Sequence, residues 1–436
     1  MRRTLFLIPH ELGGLPIAGW GWALIVLAIA FALRMILASR KGSISATLQQ
    51  EGWLWAAAGV LVTFILPQVE VRNVDGDPIG IAVRGYGFFL LLGVGTAVMA
   101  AAYRASKFGL NPDLIFGLAP WTFIGGIVGA RLFYVIQYRH EYMADSMTET
   151  LRNMLAFTGG GLVVYGGFIG GFAASAYYLM RHRMPLLKLG DAIVPCIFIG
   201  LMFGRLGCLM NGCCYGGRCE PGSWAVQFPQ ASPVFHEQLI NGELIGIQID
   251  DDTRQIVAVQ PGSIADDAGL EAGQTVDQIS LDPSFLDDAP RDVPADQAAV
   301  GVALSVDDQI YRFSPQQLPP RSLSVHATQI ISSISAAVMV VVLWLLGWWW
   351  TRRPGYRDGA LMLIGFVGYA IIRFGLEWVR VDEAGQFGTG LSISQWVSIA
   401  VLLVSLASMV WLYRRGPAVE TSPATAGMPQ TTPRQS

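Results

Sequence analysis

The residues able to do chemistry in this 436-residue chain gather around one stretch, Gly204-Arg205-Leu206-Gly207-Cys208-Leu209-Met210-Asn211-Gly212-Cys213-Cys214-Tyr215-Gly216-Gly217. It closes an apolar run that starts near Ile193, and so sets a guanidinium, an amide and three thiols where a hydrophobic helix ends. An arginine buried in lipid costs roughly 2.5–3.5 kcal/mol on insertion scales, so it needs a partner or a job. Snorkelling to the interface is the plain explanation. An anion site just below a membrane surface is the other. Tyr86 opens one apolar run and Tyr165 another. Arg131 sits near the end of a third, in Gly125-Gly126-Ile127-Val128-Gly129-Ala130-Arg131, and His326 begins a fourth. Tyr369, Arg373 and Glu377 recur at i, i+4 and i+8, one stripe of one helix. Three arginines (131, 205, 373) against one glutamate leave excess positive charge. That suits a phosphate, which planar guanidinium groups bind bidentately.

The elements that must position these residues are membrane spans. The chain is 53% hydrophobic and only 14% charged, with a mean hydropathy of +0.45. Soluble domains carry about one-quarter charged residues, so this composition excludes an ordinary soluble enzyme. Apolar runs long enough to span occur at about 17–38, 85–103, 114–137, 161–180, 189–211, 326–350, 358–378 and 392–413, with a shorter one at about 53–67. Nine helices are expected. Arg40 and Lys41, Arg104 and Lys107, Arg181, Arg183 and Lys188, Arg352, Arg353 and Arg357, and Arg414 and Arg415 fall on alternate loops. The positive-inside bias then puts the C-terminus in the cytoplasm and the N-terminus outside, with Arg2 and Arg3 dissenting. In that orientation all the polar residues named above lie at one depth, near the outer leaflet. The glycine stretches at 125–129, 159–161 and 166–171 are expected to let helices approach closely. Met1-Arg2-Arg3 is not followed by a signal-peptide pattern, because Pro9, His10 and Glu11 interrupt the apolar stretch.

The same orientation sends residues 212–325 outside. They carry seventeen Asp and Glu against five Arg and no Lys. Leu244–Ile249 and Gln255–Val259 read as strands, Pro261-Gly262-Ser263 as a turn, Ala265–Gln274 as a short helix ended by glycine, and Thr275–Ile279 as a further strand. This α+β unit resembles the PDZ family, with a weak match at the carboxylate-binding loop around Leu244–Ile247. Peptide capture by strand addition is what that resemblance implies; a folded spacer is the alternative. Residues 416–436 are rich in Pro, Thr and Ala and are expected to be disordered.

The membrane part resembles the prolipoprotein diacylglyceryl transferase family. The pieces that carry the resemblance are Val83–Gly87, Gly129–Tyr134, Gly160–Gly167, Gly204–Gly207, Asn211-Gly212, Trp224–Pro229, Val325-His326-Ala327-Thr328-Gln329 and Tyr369–Glu377, in family order. The implied architecture is a polytopic α-helical membrane protein. It has an N-terminal extension at 1–80, a transferase core at 81–235 and 319–415, a PDZ-like extracytoplasmic insertion at 243–318, and a cytoplasmic tail at 416–436. The implied reaction moves a diacylglyceryl group from phosphatidylglycerol to the lipobox cysteine of a preprolipoprotein in the bacterial inner membrane. No metal, organic cofactor or nucleic-acid partner is implied. Carried over by position, Arg205 and Arg373 match the arginines that handle the phospholipid head group and its leaving phosphate. Tyr86, Arg131, Asn211 and Tyr369 fall to lipid binding, and Tyr165, His326 and Glu377 to catalysis.

Tyr165 stands where the best-studied members have histidine, and Cys208 and Cys213 stand where the signature G-R-x-G-N-F-x-N-G-E has Asn and Glu. These departures leave the proton acceptor open. A free thiol has a pKa near about 8.5 that adjacent positive charge lowers, so the arginines themselves are ranked first as the source of thiolate. A Cys214–Cys219 or Cys213–Cys219 disulfide is compatible with the outer face, and a zinc site drawing on His236 fits no common spacing. A site-2-protease reading needs His-Glu-x-x-His, and neither His236–Ile240 nor His140–Ala144 supplies it. A diverged, non-catalytic lipid-binding protein is the remaining alternative.

Overall fold

The computed structural model describes residues 3–40, 44–139, 146, 150, 154, 163–222, 224–250, 252–288, 290–380 and 388–414. Gly159–Gly161, the His140-Glu141 pair and the tail from 416 lie outside the described residues. Long apolar runs become helices: α1 (Trp22–Arg40), α2 (Ile44–Val60), α3 (Gly85–Lys107), α4 (Asp113–Gln137), α5 (Val164–Arg181) and α6 (Leu186–Asn211). The short α7 (Pro233–Ile240) lies in the polar segment, followed by α8 (Thr328–Trp350), α9 (Ala360–Glu377) and α10 (Ile393–Arg414). Beyond Val60, α2 continues through a π-helical turn, Leu61–Ile65, and a last turn, Leu66–Val69, that accommodates Pro67. Among the described residues, eight helices are long and apolar enough to cross a membrane, including the run that the sequence left at marginal length (Glu51–Val69). α5 is helical as expected but is not among those eight. Basic residues fill the last turns of α1, α3, α5 and α10, where the carbonyl end of a helix favours a cation.

Two compact units emerge, with boundaries inside α3, α6 and α8. The first comprises residues 1–95, 200–336 and 378–383. Here α1 and α2 are joined by the Arg34–Glu51 ion pair and by the Phe31 and Trp55 rings, 5.3 Å apart. Strand Pro78–Arg84 lies between Thr4–Pro9 and Val71–Arg72, antiparallel to both, and runs straight into α3. Three glycines let α3 and α6 close on each other. A Cβ on Gly85 would stand 2.7 Å from Met210 Cβ, one on Gly93 2.8 Å from Phe203 Cβ, and one on Gly207 3.2 Å from Tyr86 Cδ2.

The polar segment of the first unit has its own core of Phe235, Leu239, Ile245, Ile256, Val302 and Leu304. Strand Ile247–Ile249 pairs with Ile256–Val259, and Gly301–Val306 lies between Val276–Asp282 and Gln309–Phe313. The strands are shorter or shifted relative to the sequence reading, and the helix expected over Ala265–Gln274 is a single turn, Ile264–Asp267. Ser263 caps that turn, and Gly269 ends it at φ +79°. The core also draws in α7, ahead of the boundary expected at residue 243. At the base of the segment Ala225–Val226 pairs with Val325–His326, and Ser322 and Phe228 exchange two hydrogen bonds of 2.8 and 2.9 Å. The chain thus leaves and re-enters at one point.

The second unit comprises residues 96–199, 337–377 and 384–436. Its α4 and α5 touch backbone to backbone: a Cβ on Gly129 would fall 2.4 Å from Gly166 O, and one on Gly170 2.2 Å from Gly125 O. The expected packing role of these glycines holds. Arg104, 5% exposed, donates to Ala192 O (2.9 Å) and Asp191 O (3.1 Å) and stacks over Trp344. The Asp191 carboxylate in turn receives the amides of Gly359 and Met362 at the start of α9 and the Tyr356 hydroxyl.

Candidate active site

In the first unit the site is built on the end of α6. Arg205 lies about two turns before that end, half-buried, and none of the described residues gives it a hydrogen bond or an ion pair. Tyr86, in the first turn of α3, comes against Gly207 one half-turn further on. Asn211 is the last helical residue. Gly212 then turns left-handed (φ +76°), and the amides of Gly212 and Cys213 both donate to Cys208 O, at 2.9 and 3.2 Å. This is the glycine-terminated helix end that satisfies the last carbonyls.

The loop beyond is fixed from outside. Thr328 Oγ1 donates to Cys214 O and Gln329 Nε2 to Cys213 O, each at 2.8 Å. Gly216 N donates to His326 O (2.9 Å), His326 N to Gly217 O (3.0 Å) and Gly217 N to Val379 O (3.0 Å). Cys214 is thereby held at φ +57°, a backbone state that non-glycine residues rarely adopt. The segment Val325–Gln329 is therefore a clamp. His326 serves it through its backbone, in a strand that ends before α8 begins, rather than at the helix start the sequence suggested. Its imidazole has no hydrogen-bond partner among the described residues.

The clamp gathers Cys208, Cys213 and Cys214, whose Sγ atoms lie within 4.8 Å of one another. The bridge to Cys219 that the sequence left open is not present; the described cysteines are free, and the Cys219 backbone is tied to Ser324. His236 is no part of the cluster. The Cys214 thiol lies beyond the helix end and its pKa is lowered, first by hydrogen bonds from Cys208 and Cys213 and then by the charges of Arg205 and Arg380.

In the second unit, Tyr369, Arg373 and Glu377 share one face of α9, as their spacing requires. Arg373 pairs with Glu377 and donates to Ser394 Oγ at 2.7 Å, while Ser392 Oγ donates to the other Glu377 oxygen at 2.8 Å. Glu377 is 6% exposed, so both its carboxylate oxygens are committed within a buried network. Arg131, 5% exposed, donates from Nε to Met154 O (3.0 Å) and lies beside the Tyr134 ring. Tyr165 stands in the first turn of α5, and its side chain lies outside the described residues. Sequence reasoning gave no role to Thr328, Gln329, Ser392 and Ser394. Only the V-H-A-T-Q piece carried a signal for the first two.

A half-buried guanidinium with no carboxylate partner can seat an anionic head group and steady charge on a leaving phosphate. Comparison with known proteins gives this chemistry a context. Residues 78–411 match the family model described as prolipoprotein diacylglyceryl transferase. A phosphatidylglycerol–prolipoprotein diacylglyceryl transferase of Rhodopirellula baltica is 49% identical over 95% of this chain and 90% of its own length. The enzyme of that name from Burkholderia thailandensis is 26% identical over 79% of this chain and 98% of its own length. A third, from Clostridium tetani, is 36% identical over 31% of this chain and 53% of its own length.

Proposed function

The chain belongs to the prolipoprotein diacylglyceryl transferase family, and from that premise we propose that Arg205 is the cation that receives the phosphate of its donor lipid. The protein transfers a diacylglyceryl group from phosphatidylglycerol to prolipoprotein. In the transfer, the lipobox thiolate attacks the glyceryl carbon that bears the phosphate. A C–S bond forms, the C–O bond breaks, and glycerol phosphate leaves with the electron pair. The observation that carries the assignment is the Arg205 guanidinium: half-buried at a helix end, with no carboxylate ion pair or hydrogen bond among the described residues. Charge held ready in this way stabilises a leaving phosphate without reorganisation.

By its match to the family motif, Arg373 in the second unit is assigned the second cation of the reaction, and Glu377, Ser392 and Ser394 fix its direction. Because both Glu377 oxygens are engaged, Glu377 positions Arg373 rather than taking a proton. By the same family match, Tyr86, Asn211, Tyr369 and Arg131 are assigned to binding of the donor lipid. Tyr165 and the unpartnered His326 imidazole are the groups left to receive the acceptor proton, and the arginines lower that proton's pKa. The polar segment is a PDZ-like insertion on the extracytoplasmic side, with the C-terminus cytoplasmic. Its single exit and re-entry point and the basic last turns of α1, α3, α5 and α10 support this. Strand Ile247–Ile249 has one neighbour among the described strands and borders a groove of about 960 Å³, which suits an added peptide strand.

The test is a mass-shift assay with phosphatidylglycerol, a lipobox peptide and the purified protein. A diacylglyceryl gain is expected in the wild type and none in Arg373→Ala, while Glu377→Gln should retain slow transfer, down on the order of 10–100-fold. Full activity of Arg373→Ala would remove it from the reaction. A loss in Glu377→Gln as complete as in Arg373→Ala would favour a proton-transfer role.

A further inference from the structure

The transfer reaction needs one thiol, and that thiol belongs to the acceptor. The chain nevertheless brings three of its own together at the end of α6. Cys208 comes from the last turn, and Cys213 and Cys214 come from the reversal at Gly212. A disulfide would consume two and strand the third. Between the adjacent Cys213 and Cys214 it would also be strained. Convergent thiolates are instead the ligand set of soft, thiophilic cations, and they discriminate against magnesium and calcium.

The geometry is close to what such an ion requires. Zinc–sulfur bonds of about 2.3 Å put tetrahedral sulfurs about 3.8 Å apart. Sulfurs already within 4.8 Å of one another need to close by at most about 1 Å. The backbone that carries them is set beforehand: the carbonyls of Cys213 and Cys214 are pinned by Gln329 and Thr328, and Gln329 is fully buried. Its Oε1 has no partner among the described residues, so the amide is oriented wholly by the Cys213 carbonyl. Charge fits as well. Three thiolates around a divalent ion carry one net negative charge, and Arg205 lies three residues before Cys208 on the same face of α6.

We propose that Cys208, Cys213 and Cys214 form a binding site for one thiophilic cation of the zinc or cuprous class. Three sulfurs complete a trigonal cuprous ion, whereas zinc keeps one position open for an outside ligand. Binding releases the thiol protons to solvent, so no oxidant or reductant is involved. The site belongs to the first unit alone and stands whether or not Arg205 holds the donor lipid.

The test uses the full-length protein in detergent, reduced and stripped of metal, then titrated separately with zinc and with cuprous ion. One ion per chain is expected to survive desalting. Cobalt substitution should give thiolate-to-metal charge-transfer absorption. Cys213→Ser should weaken binding by more than about tenfold, while Cys196→Ser and Cys219→Ser leave it unchanged. In the wild type, which avoids any folding defect of a variant, the cation should protect Cys208, Cys213 and Cys214, but not Cys219, from iodoacetamide. The arm that retains stoichiometric metal identifies the ion. Failure to retain either ion, equal loss in Cys219→Ser, or a disulfide between two of the three in protein purified without reductant would overturn the proposal.

Discussion

Replacing Gly216 by alanine tests whether the clamp on the cysteine loop is what holds the site. An added Cβ would stand 2.7 Å from Thr328 Cγ2, 2.8 Å from His326 Cβ and 2.8 Å from Val379 O. None of these is the far end of a flexible side chain, so the loop itself must move. Overpacking of this kind costs roughly 1–3 kcal/mol. Loss of the 2.9 Å bond from Gly216 N to His326 O would add about 1 kcal/mol. The expected destabilisation is therefore about 2–4 kcal/mol. Gly222→Ala is the control, because its Cβ would meet nothing closer than Glu220 O at 3.8 Å. Thermal unfolding in detergent, with transfer rates taken at a temperature where both variants are folded, separates the two. Gly216→Ala should unfold earlier and transfer more slowly, while Gly222→Ala matches the wild type. Wild-type stability and rate in Gly216→Ala would show that the clamp positions nothing.

Two further outcomes follow from the polar segment. Ile249→Pro removes the amide that strand Ile247–Ile249 turns to its open edge; if that edge takes prolipoproteins, transfer to a full prolipoprotein should fall while transfer to a short lipobox peptide holds, and equal ratios for both substrates would refute capture there. His236, partly buried in α7, has its pKa lowered from 6.5 by burial and then by Arg3. Below that pH the unfolded chain binds a proton that the folded one resists, so stability is fully present above about 6.5 and falls as pH drops toward the folded value. The difference in unfolding free energy between wild type and His236→Phe should therefore change in slope across that window, and parallel profiles would deny the linkage.

Much of this was legible in the residues. Long apolar runs fix helices because the bilayer leaves no other way to satisfy the backbone, and the i, i+4 spacing of Arg373 and Glu377 fixes their pairing. The small glycines of α4 and α5 announced a close contact, and the contact is there. Other features depend on tertiary partners that no local pattern reveals. The thiol cluster needs the left-handed turns at Gly212 and Cys214 and a clamp from residues more than a hundred positions away. The sequence left a bridge from Cys213 or Cys214 to Cys219 open beside it. Ser392 and Ser394 stood unremarked at the start of the apolar run 392–413, yet their hydroxyls meet Glu377 and Arg373. The strands at 301–306 and 309–313 follow a Pro- and Asp-rich stretch that masks the alternation of the sheet.

The central claim is that Arg205 holds the lipid phosphate, and the most direct measurement is the affinity of Arg205→Gln for phosphatidylglycerol in nanodiscs otherwise made of zwitterionic lipid. A charge-assisted hydrogen bond is worth about 1.5–3 kcal/mol, so binding should weaken on the order of 10–150-fold with the fold intact. Unchanged affinity in a folded Arg205→Gln would contradict the account and return Arg205 to a cation snorkelling at the interface.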